Sequence, residues 1–125
     1  MYNTLTEYLN TTSAAHVQRG LTTIDAVNDF PTICYYVLRE QRRHIGGGIR
    51  YADIFIQIRG YVYATNSNSA AEDLAHEIEQ SINAFGAEQC SIGVQQARVV
   101  SIRTDEGLFE PYGILDMVVY IEKEL

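Results

Sequence analysis

Arg50-Tyr51-Ala52-Asp53-Ile54-Phe55-Ile56-Gln57-Ile58-Arg59-Gly60-Tyr61-Val62-Tyr63-Ala64 alternates apolar and polar side chains over most of its length. Ala52, Ile54, Ile56, Ile58 and Val62 fall on one side and Tyr51, Asp53, Gln57, Arg59 and Tyr61 on the other, the period of a strand with one face laid over a core. Phe55 interrupts the polar side, so it rests either under an N-terminal helix or in an interface. Upstream, Thr32 to about Arg43 is rich in β-branched and aromatic residues and meets this strand through Gly46-Gly47-Gly48, which predicts a β-hairpin. The approach to the turn, Glu40-Gln41-Arg42-Arg43-His44, has no apolar residue on either face and is expected to project as an arm.

Downstream, Ser67-Asn68-Ser69 ends the strand, and Ser69 with Glu72 forms a capping-box pattern at a helix start. Leu74, Ile78, Ile82 and Phe85 follow at spacings of four, four and three, with Ala71 and Ala75 alongside, one apolar stripe for a sheet. Gly86 stands where a helix stop is expected. A further strand is expected from about Gln95 to Arg103, preceded by a shorter extended piece at Ser91 to Val94. A polar loop from Thr104 to Gly113 then leads into Ile114 to Glu122, where Leu115, Met117, Val119 and Ile121 alternate with Asp116, Val118 and Tyr120. At the front, Asn3 to about Gly20 carries Leu5 and Leu9, with Thr12 and His16, on one helical stripe, although Thr11-Thr12-Ser13 are indifferent helix formers. Asp25 to Pro31 reads as a connection, with Phe30-Pro31 favouring extended entry into the first strand. The order helix, hairpin, helix, hairpin predicts a two-layer α+β domain spanning residues 1–125. Its sheet would be four-stranded and mainly antiparallel, with the helices packed on one face.

The 125 residues carry 16 acidic and 9 basic side chains, for a net charge of −7. This balance argues against general nucleic-acid binding, which wants a dominant basic patch. Five of the nine basic residues, Arg39, Arg42, Arg43, Arg50 and Arg59, lie in the hairpin. Charged side chains on exposed strands also serve simply to prevent edge aggregation. The preference for Arg over Lys points further, to bidentate contacts at an interface. Between Gly60 and Ala97 there is no Lys or Arg, while Glu72, Asp73, Glu77, Glu79 and Glu88 all fall there. On a helix with a clean apolar stripe these carboxylates are most simply its solvated side, and Glu72, Asp73, Glu77 and Glu79 are the acidic counterpart available to the basic arm. Nine tyrosines without a tryptophan lean toward subunit contacts, because a tyrosine joins an apolar ring to a polar tip.

No arrangement of a catalytic centre emerges. His16, His44 and His76 lie far apart in sequence and lack metal-ligand spacing, and G-x-S-x-G is absent. Gly46-Gly47-Gly48 has a strand on both sides, whereas a phosphate-cradling loop opens a helix. Cys34 and Cys90 are expected as buried free thiols. With no cofactor, metal or enzymatic activity expected, no apolar run long enough for a bilayer and no signal-peptide pattern at Met1-Tyr2-Asn3-Thr4, the chain is expected to be soluble, made in the cytosol and independent of membranes.

The succession of N-terminal helix, long hairpin, capped amphipathic helix and closing hairpin resembles the tail terminator (tail completion) proteins of tailed bacteriophages. The residues that carry the likeness are Tyr51 to Ala64 followed by Ser69 to Phe85, then Val99 to Arg103 with Asp105-Glu106-Gly107, and Gly113-Ile114-Leu115-Asp116-Met117-Val118-Val119-Tyr120. The resemblance implies a structural virion protein assembled in the host cytoplasm. It would form a hexameric ring on the last ring of the tail tube, halt tube growth and offer the surface that joins tail to head. Its partners would be its own copies, the tail tube protein and a neck or head-tail connector protein, with DNA passing through the lumen without specific binding. The alternatives are another neck or head-completion protein of the same particle, or a cellular ferredoxin-like module that binds a ligand between sheet and helix.

Overall fold

A computed structural model describes residues 1–23, 26–63, 70–109 and 112–125, with side chains for all of these except 105–109. The elements in chain order are α1 (Tyr2–Leu9), β1 (His16–Arg19), β2 (Thr32–Ile45), β3 (Ile49–Tyr63), α2 (Ala70–Glu88), a 3-10 turn (Cys90–Ile92), β4 (Val94–Phe109) and β5 (Tyr112–Glu124). The strands form one open sheet of five in the order β1-β2-β3-β5-β4, antiparallel except where β1 runs parallel to β2.

The alternation in β3 sets the layers. Ile54, Ile56 and Ile58 pair in register with Ile121, Val119 and Met117 of β5, and all six are buried. The helices lie on this side: Leu74, Ile78, Ile82 and Phe85 of α2 join Leu5 and Leu9 of α1 in the same core cluster. The α2 stripe is buried as its spacing requires. Tyr35 also points to this side, where its hydroxyl bonds Thr6 Oγ1 at 2.6 Å and donates to the Tyr2 carbonyl at 3.2 Å, fixing α1 over the sheet.

Several expectations are corrected. The sheet has five strands instead of four, because the N-terminal helix stops at Leu9 and His16–Arg19 becomes β1. The hydroxyls of Thr11 and Thr12 turn back to the carbonyls of Tyr8 and Leu9 at 2.6 and 2.7 Å, the local competition that makes threonine end helices. Gly86 lies inside α2, which continues to Glu88. The extended piece expected at Ser91 to Val94 is largely the 3-10 turn. Most of the expected loop after Thr104 is strand, since β4 runs to Phe109 and pairs there with Tyr112. Cys34 is buried and Cys90 is exposed, both as free thiols. The capping pattern at Ser69 lies outside the described residues, as does Asp25, the first residue of the expected connection.

Both long outer strands are irregular. β2 shifts register between Val37 and Arg39, and β4 does so between Val94 and Gln96 and again between Val99 and Ser101. β1 covers only Thr32 to Tyr35 of β2. At the arm, Gly47 and Gly48 take φ of 82° and 81°, the left-handed conformation that glycine adopts without steric cost. The arm is less free-standing than its polar sequence implies, because β5 accompanies β3 as far as Tyr51 and the Leu125 amide donates to the Arg50 carbonyl at 2.9 Å.

Candidate interface on the helix-free face of the sheet

The polar side of β3 faces away from both helices. At one end the connection after β1 covers it: Tyr61 donates to the Thr22 carbonyl at 2.7 Å, and Phe30 stacks on Tyr112 with centroids 5.2 Å apart. Burial there pushes the Cys34 thiol above its ordinary range. The rest of the face, toward the arm, is open.

Register divides the hairpin arginines into two groups. Arg39, Arg43 and Arg59 stand opposite Phe55, Tyr51 and Cys34 on the helix-free side. Arg42 and Arg50 stand opposite Ala52 and His44 on the helix side of the arm. Arg43 and Arg59 of the first group are heavily engaged. Arg43 Nε donates to Asp53 Oδ2 at 2.6 Å, and its Nη2 donates to Asp53 Oδ1 at 3.0 Å and to Glu122 Oε2 at 2.7 Å. Tyr120 donates its hydroxyl to the same Asp53 carboxylate. Arg59 Nε donates to Asp116 Oδ1 at 2.8 Å, where Gln57 also donates at 3.1 Å.

The protonation states follow from these contacts. Hydrogen bonds from Arg43 first, then Tyr120, hold the Asp53 carboxyl below its usual range. Tyr120 is pushed up to about 12, by burial first and by its bond to Asp53 second. The guanidiniums of Arg43 and Arg59 are raised by the carboxylates they grip. Such charge-assisted, partly bidentate bonds fix geometry as well as charge.

Arg39 is placed differently. Its guanidinium lies 4.7 Å from the centroid of Phe55, Phe55 lies 5.2 Å from Tyr120, and Arg98 of β4 lies 5.3 Å from Tyr120. Among the described residues neither Arg39 nor Arg98 has an ion-pair partner within 4 Å. Phe55 therefore belongs to the open face and not beneath α1.

On the opposite layer, Glu72 and Asp73 are exposed in the first turn of α2, and Glu77 and Glu79 are half-buried further along it. Glu77 accepts bonds from the Ser13 amide at 3.0 Å and the Ser13 hydroxyl at 2.7 Å, tying α2 to the segment after α1. The arginine arm and the α2 carboxylates thus occupy different layers of one subunit, and among the described residues no ion pair joins the two. Sequence reasoning missed Arg98 and Tyr120. The alternation of Asp116, Val118 and Tyr120 was visible, but no local pattern indicated its register against Asp53 and Phe55.

Among the described residues no His, Cys, Asp and Glu group could hold a metal, and no helix is long and apolar enough to cross a membrane. What the face offers is a set of fixed arginines and aromatic rings on a rigid sheet, the equipment of a protein that works by contact. The family model for the bacteriophage tail tube terminator protein matches residues 2–124, and the chain belongs to that family. It is accordingly a structural component of the virion tail and not an enzyme. Among solved structures, it is similar to a chain in the virion of a native gene transfer agent (GTA) particle. That match has 12% identity and a TM-score of 0.55, and covers 97% of this chain and 84% of the other, a likeness of fold. No curated protein matches it in sequence.

Proposed function

We propose that this chain assembles into a closed ring, hexameric as the family resemblance implies, that caps the tail tube, ends its polymerisation and presents the surface to which the head-side neck protein joins. Duplex DNA passes through the hole without specific binding. In this reading the arm arginines Arg39, Arg42, Arg43, Arg50 and Arg59 face a neighbouring copy or the tube, and Glu72, Asp73, Glu77 and Glu79 form the acidic counterpart.

The observation that carries the reading is the separation of charge between layers. Every arginine of the hairpin is on the sheet, while α2 carries five carboxylates and no Lys or Arg. A cyclic assembly joins two different patches of the same subunit, so patches of opposite sign on different elements support closure into a ring. The exposed cross-strand pair at the hairpin tip, Ile45 and Ile49 at 47% and 44%, supplies an apolar contact of the kind that buries against a tube subunit.

Native mass measurement and imaging of the purified chain, alone and with polymerising tail tube protein, test the proposal. The expected result is a ring with a hole wide enough for duplex DNA, and shortened tubes ending in that ring. A chain that stays monomeric or dimeric with and without tube protein overturns it.

A further inference from the structure

We infer that the row Arg39, Phe55, Tyr120 and Arg98 is the docking surface for helix α2 of a second copy, with Glu72 and Glu79 of that helix received by the two arginines. The inference rests on the ring reading and specifies which of its charges meet.

The sheet face distinguishes two kinds of arginine. Arg43 and Arg59 spend their donors on Asp53, Glu122 and Asp116 within the subunit. Arg39 and Arg98 lie over aromatic rings and have no ion pair among the described residues. A guanidinium stacked on a ring is held in orientation while its N–H groups remain free at the edge, prepared for a carboxylate from outside. Phe55 and Tyr120 between them are half-buried, in contact at 5.2 Å, and give an apolar centre with charged ends, the composition of an interface hot spot.

The complement is on the other layer. Glu72, His76, Glu79 and Asn83 follow at spacings of four, three and four along the solvent side of α2, with no Lys or Arg in the helix. Glu72 and Glu79 are two turns apart, about 10 Å along the axis. Arg39 and Arg98 stand on strands three intervals apart, about 14 Å at the backbone, and both lean inward over the rings between them. The two spans are compatible. Because the row lies on the helix-free face and the ridge lies on the opposite layer, the contact is heterologous and passes from copy to copy, the type of contact that makes a ring when its rotation closes.

Charge exchange in the full chain tests it. Arg39→Glu with Arg98→Glu is expected to raise the concentration needed for ring assembly at least tenfold by native mass measurement, and Glu72→Arg with Glu79→Arg to do the same. All four changes together are expected to restore assembly. Arg39→Gln with Arg98→Gln provides the milder variant, with intermediate loss, should the reversals disturb folding as judged by circular dichroism. Three outcomes overturn the inference and leave the ring: both doubles assembling like the unaltered chain, the four-fold variant failing to recover, or ring assembly persisting while only tube capping or neck binding is lost. An unaltered chain that forms no ring, either alone or with tube protein, overturns the ring reading itself, and the inference with it.

Discussion

Gly86 of α2 lies against Ala97 of β4 so closely that a Cβ on the glycine would stand 2.7 Å from the Ala97 amide nitrogen and 3.1 Å from its carbonyl oxygen. The obstacle is backbone, which cannot swing aside as a side-chain tip can. Alanine is the better helix former by about 1 kcal/mol, but here it must push the helix off the strand. Gly86→Ala is therefore expected to destabilise the fold by about 1–3 kcal/mol net, read from chemical denaturation. A stability equal to or above that of the unaltered chain refutes the close-contact role.

The Asp53 network sets a pH dependence with two signs. Asp53 has a lowered folded pKa, so its contribution is present above the ordinary carboxylate value of about 4 and is lost as pH falls below it. Tyr120 has a raised one, so its contribution is full below about pH 10 and is lost as pH rises toward its folded value of about 12. Asp53→Asn should cost about 1–2 kcal/mol at pH 7 and flatten the acid limb of a stability–pH curve. Tyr120→Phe should flatten the alkaline limb instead. Identical curves for both variants and the unaltered chain count against the network.

Neighbouring arginines should separate in their effects. Arg43→Glu places a carboxylate against Asp53 and Glu122, and is expected to lower the unfolding midpoint. Arg42→Glu, on the other side of the strand and without an ion pair among the described residues, should leave the midpoint unchanged and weaken ring assembly or tube binding. Thermal melts beside an assembly assay distinguish the two. Equal melts for both variants would contradict the division.

At the arm tip, Ile45→Ser with Ile49→Ser removes an exposed apolar pair and should change stability by less than about 0.5 kcal/mol. Tube capping, measured as the length distribution of polymerised tubes, should weaken. Unchanged lengths would remove the tip from the tube contact.

The parts of the fold legible in sequence were those with an unambiguous period. The alternation of β3 and the four-four-three spacing of α2 each admit one side to the core, and both were buried as expected. β1 was not legible because His16–Arg19 is four residues long and gains its strand conformation from pairing with β2, not from its own pattern. Gly86 misled because a glycine at a helix end and a glycine under a crossing strand are the same letter. The arginines of the site were visible as a cluster, but their sorting was not. Asp116, which holds Arg59, lies 57 residues further along, and Glu122, which shares Arg43 with the nearby Asp53, lies 79 further along; the β2–β3 and β3–β5 registers together bring them into reach.

The register shifts at Leu38 in β2 and at Gln95 and Val100 in β4 fall on the two outer margins of the sheet, where among the described residues no further strand covers β4 or the part of β2 beyond Tyr35. A flat, regular margin would template any passing strand and invite fibre growth. A kinked one offers too few aligned N–H and C=O groups in a row to do so. A sheet left open on both margins is thereby protected from indiscriminate strand addition, which leaves its faces, and not its edges, as the surfaces through which copies meet.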